Sequence, residues 1–235
     1  MQRQARFIFF CSLLAALVLL GGCSKKDSTG AMDRANPQRT GVVASAGPER
    51  ANRVMWQKET DYPLKASPTV AGDKIYWGST DRHFYAAERK TGTVKWKFST
   101  RGWVDSTPAI AGEMVYFGSR DGYLYALDAA TGEEKWRFEA NGWVQSSPVV
   151  RDGKVYFTSK KGTLYALRAE TGQVKWSFEA GDKPLTSPAI HEGILYVGSM
   201  QGSLIALEMA TGEKLWEYDS RSGVVAMPAV KNGKI

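Results

Sequence analysis

Ala126-Leu127-Asp128-Ala129-Ala130-Thr131-Gly132-Glu133-Glu134-Lys135-Trp136 recurs in variant form through most of this chain. Ala86, Ala126, Ala166 and Ala206 stand forty residues apart. Thr91-Gly92, Thr131-Gly132, Thr171-Gly172 and Thr211-Gly212 keep the same step, as do Trp56, Trp96, Trp136, Trp176 and Trp216. Pro68, Pro108, Pro148, Pro188 and Pro228 are a fourth marker in that register. A period near forty admits propeller blades or the longer helical-pair repeats.

The residues inside one unit choose between the two. Ser106 to Ile110 is short and contains Pro108; Met114 to Ser119 is β-branched and aromatic. Arg120-Asp121-Gly122 then reads as a hairpin turn before Tyr123 to Leu127. A turn through Gly132 leads to Glu134 to Glu139, whose alternation sets Trp136 and Phe138 on one face. Four short strands per unit, with no helical spacing, define an all-β chain: a β-propeller of four-stranded antiparallel blades. Apolar residues on both faces of the inner strands suit sheets stacked face to face, and the charged fourth strand suits an outer edge.

These units resemble the pyrroloquinoline-quinone-type propeller repeat: an Ala, Thr-Gly five residues on, and a Trp four residues after that Gly. The resemblance covers residue 53 to the end. It implies that Trp56, Trp96, Trp136, Trp176 and Trp216 dock each blade onto its neighbour. Burying one indole removes ~150–250 Å² from water, worth several kcal/mol at ~25 cal/mol per Å² as an upper bound. The unit from Gln57 to Trp96 is the least regular, with Arg82 in place of the hairpin Gly and Ala87 in place of Leu. Val224 to Ile235 begins a further blade, giving about four and a half blades. A strand opened but unpaired at Ile235 leads us to expect a fragment of a seven- or eight-blade ring.

Three segments are expected. Residues 1–22 form a signal peptide: Arg3 and Arg6 precede an apolar stretch, Phe7 to Leu20, that is short for a membrane span. Leu20-Gly21-Gly22-Cys23 resembles the bacterial lipobox, which implies cleavage after Gly22 and lipid on Cys23. Ser24 in the next position implies the outer membrane, facing the periplasm. Residues 23–52 read as a polar tether, within which Asn36-Pro37-Gln38-Arg39-Thr40-Gly41 looks like the opening segment of bacterial propellers of this type. Residues 53–235 are the repeats. Cys11 leaves with the signal, so the mature chain holds one cysteine and neither an intramolecular disulfide nor a cysteine-based metal site. The net charge of +7 falls to +5 once Arg3 and Arg6 are removed, a mild excess that reads as a solvated face.

Catalytic constellations are sparse. His83 lies at a hairpin position and His191 in an expected turn; neither has a metal-ligand partner at a useful spacing. No phosphate loop, dinucleotide fingerprint or calcium loop is present, and no nucleic-acid partner is expected. The informative segments are Thr100 to Ser106, Ala140 to Ser146, Ala180 to Thr186 and Ser220 to Ala226, which join successive blades. They carry Trp103 and Trp143 at matching places, with Arg101, Asp105, Asn141, Gln145 and Lys183 nearby: a candidate partner-binding patch.

The chain is therefore expected to be non-catalytic, without a cofactor, anchored to a membrane through lipid on Cys23 and bound to protein partners. It resembles the propeller lipoproteins of the outer-membrane β-barrel assembly machinery, which implies a protein-interaction scaffold. Two alternatives stand beside this. One is a quinone-dependent oxidoreductase or quinone-binding sensor, which needs pyrroloquinoline quinone and calcium. The other is a cell-wall or carbohydrate binder using Trp103 and Trp143.

Overall fold

A computed structural model describes residues 54–181, 183–231 and 234–235. The expected signal peptide, Cys23 and the tether lie outside the described residues. Among the described residues sixteen strands form four sheets, one per repeat. Blade 1 is β1 (Thr69–Ala71), β2 (Lys74–Gly78), β3 (His83–Glu88) and β4 (Val94–Ser99). Blade 2 is β5 (Ala109–Ala111), β6 (Met114–Gly118), β7 (Tyr123–Asp128) and β8 (Glu134–Glu139). Blade 3 is β9 (Val149–Arg151), β10 (Lys154–Thr158), β11 (Thr163–Arg168) and β12 (Val174–Glu179). Blade 4 is β13 (Ala189–His191), β14 (Ile194–Gly198), β15 (Ser203–Glu208) and β16 (Lys214–Asp219). Each sheet is a four-stranded antiparallel meander in chain order, and together they form a stretch of β-propeller.

The recurring motif has a physical reason at each position. Tyr116, Ala126 and Trp136 lie side by side on β6, β7 and β8. The small Ala126 lets the flanking rings meet across it, with centroids 5.8 Å apart. Both then donate to one carbonyl of the next blade: Tyr116 Oη at 3.0 Å and Trp136 Nε1 at 3.0 Å from Ala169 O. Tyr76 and Trp96 do the same at Ala129 O, and Tyr156 and Trp176 at Met209 O. Trp56 donates to Arg89 O. Each indole also lies on the glycine of the next blade's Thr-Gly: Trp96 on Gly132, Trp136 on Gly172, Trp176 on Gly212. Gly132 has φ +77, and a β-carbon there would fall 2.6 Å from the Trp96 ring, so only glycine meets both demands. Among the described residues nothing comparable covers Trp216, which is 39% exposed.

Aromatic side chains also fill the space between sheets. Phe84 of blade 1 stacks on Phe117 of blade 2 with centroids 4.0 Å apart. Phe138 meets Phe157 and Tyr165 of blade 3 edge-on. β7 is buried from Leu124 to Leu127, consistent with a strand covered on both faces. In β8 the alternate residues Glu134, Trp136 and Phe138 are half-buried while Lys135, Arg137 and Glu139 are exposed.

Some boundaries differ from the sequence reading. The first strand of blade 2 begins at Ala109, not Ser106. Pro108 has no N–H to give a ladder, and the Ser106 hydroxyl takes over the pairing, accepting from Gly118 N at 2.7 Å and donating to Gly118 O. β6 ends at Gly118, because Ser119 N already closes the hairpin onto Tyr123 O. His191 is the last residue of β13 and not part of a turn. Arg82 adopts φ 69 where Gly122, Gly162 and Gly202 supply the left-handed residue of the other hairpins.

A hydroxyl ladder links the innermost segments. Ser67 N donates to Thr107 Oγ1, Thr107 N to Ser147 Oγ, and Ser147 N to Ser187 Oγ, each step forty residues long.

Candidate functional site

The blade-joining segments and the β2–β3, β6–β7, β10–β11 and β14–β15 hairpins share one rim. Val144 N donates to Ser119 O, and its buried side chain lies against Gly118, where a β-carbon would collide with it. Val104 N bonds Ser79 O in the same way. With each valine pegged inward, the preceding residue is presented outward: Trp103 is 42% and Trp143 50% exposed. Arg120 N donates to Trp103 O and Lys160 N to Trp143 O, fastening each Trp to the hairpin of its own blade.

Between the two indoles sits Arg120, its guanidinium carbon 4.6 Å from the Trp103 ring centroid and 5.5 Å from that of Trp143. Lys65 Nζ lies 4.9 Å from the Trp103 ring. Cation and aromatic thus alternate as Lys65, Trp103, Arg120, Trp143 across three blades. Arg120 grips Asp105 through Nε at 2.8 Å and Nη2 at 2.6 Å, both to Oδ2. Gln145 Nε2 donates to the same oxygen at 3.2 Å. The Asp105 side chain is only 6% exposed, and its Oδ1 has no partner among the described residues. The ion pair fixes the guanidinium, so the rim presents a pre-set aromatic surface.

Trp103, Asp105, Trp143 and Gln145 are therefore brought together. The other three candidates are placed elsewhere. Arg101 is exposed and gives its backbone N–H to Asp121 Oδ2. Asn141 belongs to the blade 3 hairpin: its amide donates to Thr163 Oγ1, its carbonyl accepts from Ser159 Oγ, and its backbone N–H bonds Tyr165 Oη. Lys183 aligns with Trp143 in sequence, yet Pro184 supplies the carbonyl that accepts from Met200 N, the role of Trp143 O toward Lys160 N. The segment before blade 4 runs one residue out of step, with Leu185 bridged to Ser199. Arg120 was not singled out by sequence. The available signal was the forty-residue alignment of Arg120 with Lys160 beside that of Asp105 with Gln145.

Among the described residues no group of three or more His, Cys, Asp or Glu is placed to hold a metal ion.

The class defined by this geometry is a β-propeller of the quinone-repeat type, with a cation–aromatic rim where its blades are joined. The chain belongs to the outer membrane protein assembly factor BamB family, whose model matches residues 39–137, 100–191 and 183–235. BamB from Moraxella catarrhalis is similar in structure, with TM-score 0.63 and 20% identity over 70% of this chain and 55% of that one. A europium-containing methanol dehydrogenase aligns with TM-score 0.66 and 17% identity over 81% of this chain and 49% of that one. A quinohemoprotein alcohol dehydrogenase of Pseudomonas putida HK5 aligns with TM-score 0.63 and 20% identity over 76% and 39%. At these identities the likenesses show the fold. The chain spans about half the length of the BamB structure it matches. No curated protein sequence matches it.

Proposed function

We propose that this protein is a non-catalytic interaction scaffold of the outer-membrane assembly type, tied by lipid on Cys23 to the membrane face that fronts the periplasm. The observation that carries the reading is the rim itself. Two half-exposed indoles flank a guanidinium that a buried carboxylate holds in place. Trp and Arg dominate the energetics of protein interfaces, and rigid anchors lose little entropy on binding. Membership of the BamB family supports the same reading, as does the lipobox-like Leu20-Gly21-Gly22-Cys23.

The test is site-specific photo-crosslinking in intact cells. A benzophenone amino acid at Trp103 or Trp143 is expected to give discrete adducts with an outer-membrane assembly protein. The same group at Lys90, on the opposite edge, is expected to give none. Equal labelling from both edges would overturn the assignment of the rim. For the anchor, Cys23→Ala is expected to move the protein from the membrane to the soluble envelope fraction.

A further inference from the structure

We infer that the blade 3 part of the rim, around Trp143, Lys160, Lys161 and Met200, binds an acidic, extended segment of a partner protein. The inference rests on the scaffold reading and names the chemistry of what is bound. It follows from comparing equivalent positions in adjacent blades. In blade 2 the three rim positions are Asp105, Arg120 and Asp121, net −1; in blade 3 they are Gln145, Lys160 and Lys161, net +2. The backbone arrangement around them is the same, since Arg120 N bonds Trp103 O as Lys160 N bonds Trp143 O.

The internal counter-ion has therefore been removed where the cation was kept. Arg120 has Asp105 beneath it at 2.6 Å. Lys160 has Gln145 at the equivalent place, and that amide turns back to Asp105. Among the described residues Lys160 Nζ meets only the Met200 thioether, at 3.9 Å.

Nor does the fold call for Lys161. Its counterpart Asp121 holds blade 2 together, accepting from Tyr123 N, Tyr125 Oη and Arg101 N. In blade 3 Asn141 performs that bonding from the other side. Position 161 is thereby released, and it carries a second exposed cation. Lys183, by contrast, has Glu217 near it and helps to hold that carboxyl below its ordinary value, after the closer Lys214 and Ser203.

Among the described residues no carboxylate pairs with Lys160 or Lys161, and the two call for anions. The apolar surfaces beside them, Trp143 at 50% and Met200 at 42% exposure, call for an apolar side chain in the same ligand. An anionic membrane is the poorer complement, because lipid-binding surfaces gather clusters of about four to eight basic residues, whereas this part of the rim carries Lys160 and Lys161 beside a blade 2 rim of net −1. An acidic peptide segment with interspersed apolar residues satisfies both features.

The experiment uses the full chain and a fluorescein-labelled peptide of alternating Glu and Leu, read by anisotropy. Peptides with Gln or Lys for Glu, and phosphatidylglycerol vesicles, are the comparisons. Binding of the Glu peptide is expected, weakening as salt is raised. It is expected to fall about tenfold in the K160Q/K161Q double variant, the scale of losing ~1.4 kcal/mol. Gln145→Asp, which returns a carboxylate beneath Lys160, is expected to weaken binding similarly with an unchanged circular dichroism spectrum. Unchanged affinity in K160Q/K161Q, equal affinity for the Lys peptide, or binding to vesicles alone would overturn the inference. If adducts from Trp103 and Trp143 persist unaltered in K160Q/K161Q, the scaffold reading stands and the acidic-segment inference falls.

Discussion

Gly132 carries two constraints that can be separated by substitution. Its φ of +77 penalises any β-carbon, and the Trp96 ring occupies the place where that carbon would go. Gly112 has φ +59 but nothing within 4 Å. Gly112→Ala is expected to cost about 1–2 kcal/mol from backbone conformation alone, and Gly132→Ala clearly more, as read by urea denaturation. The indole partners give a second contrast. Trp136→Ala is expected to cost about 3–5 kcal/mol, because it empties the space over Gly172 and removes a donor from Ala169 O. Trp216→Ala, at a site 39% exposed, is expected to cost less than half as much in the same titration.

At the scale of elements, the repeat made the blade legible because its markers each serve a contact that every blade must make. Tyr116, Ala126, Trp136 and Gly172 are one interlocking set, and a forty-residue register exposes such sets directly. The starts of the first strands were not legible. There Pro108 and the Ser106 hydroxyl replace ladder pairing, a side-chain exchange that alternation does not encode. The rim was legible in part. Exposed Trp at matching positions pointed to it, but the pairing of Asp105 with Arg120 spans two separate segments and emerges only once a hairpin brings them together. That pair yields a further prediction. Asp105→Ala leaves a mostly buried guanidinium without its anion and is expected to cost about 2–4 kcal/mol, the partial exposure of Arg120 lowering the full penalty. Thr107→Val removes the acceptor from Ser67 N within the hydroxyl ladder and is expected to cost about 0.5–1.5 kcal/mol, Ser67 being exposed to water. Denaturation of each variant, compared with the parent chain, checks both values.

For the molecule as a whole, the buried phenols set a limit on alkaline stability. Burial is the main cause that pushes Tyr76 and Tyr116 up to about 12, with neighbouring carboxylates adding to it. An unfolded tyrosine titrates near 10. The folded chain thus keeps protons that the unfolded chain releases. The stability linked to these groups is complete below about pH 10 and is lost as pH rises toward about 12. Denaturation midpoints are expected to be level from pH 7 to 9 and to fall steeply above 10. Tyr116→Phe is expected to shallow that fall, since it removes one of the titrating groups, and to cost about 1 kcal/mol at neutral pH for the lost bond to Ala169 O.

The paired donors from Tyr and Trp onto one carbonyl make each blade's leading and trailing faces the same lock and key, three times over. Length itself is thereby quantised. An internal duplication that copies one whole forty-residue unit presents an identical key to the next lock and an identical lock to the previous key. A duplication of thirty-nine or forty-one residues with its junction inside a strand turns the rest of that strand to the wrong face, so a stray residue is tolerated only between strands, as in the segment before blade 4. Growth and loss of this protein by gene duplication are thus confined to whole blades, and the rim residues, which bind no neighbouring lock, are free to diverge from copy to copy.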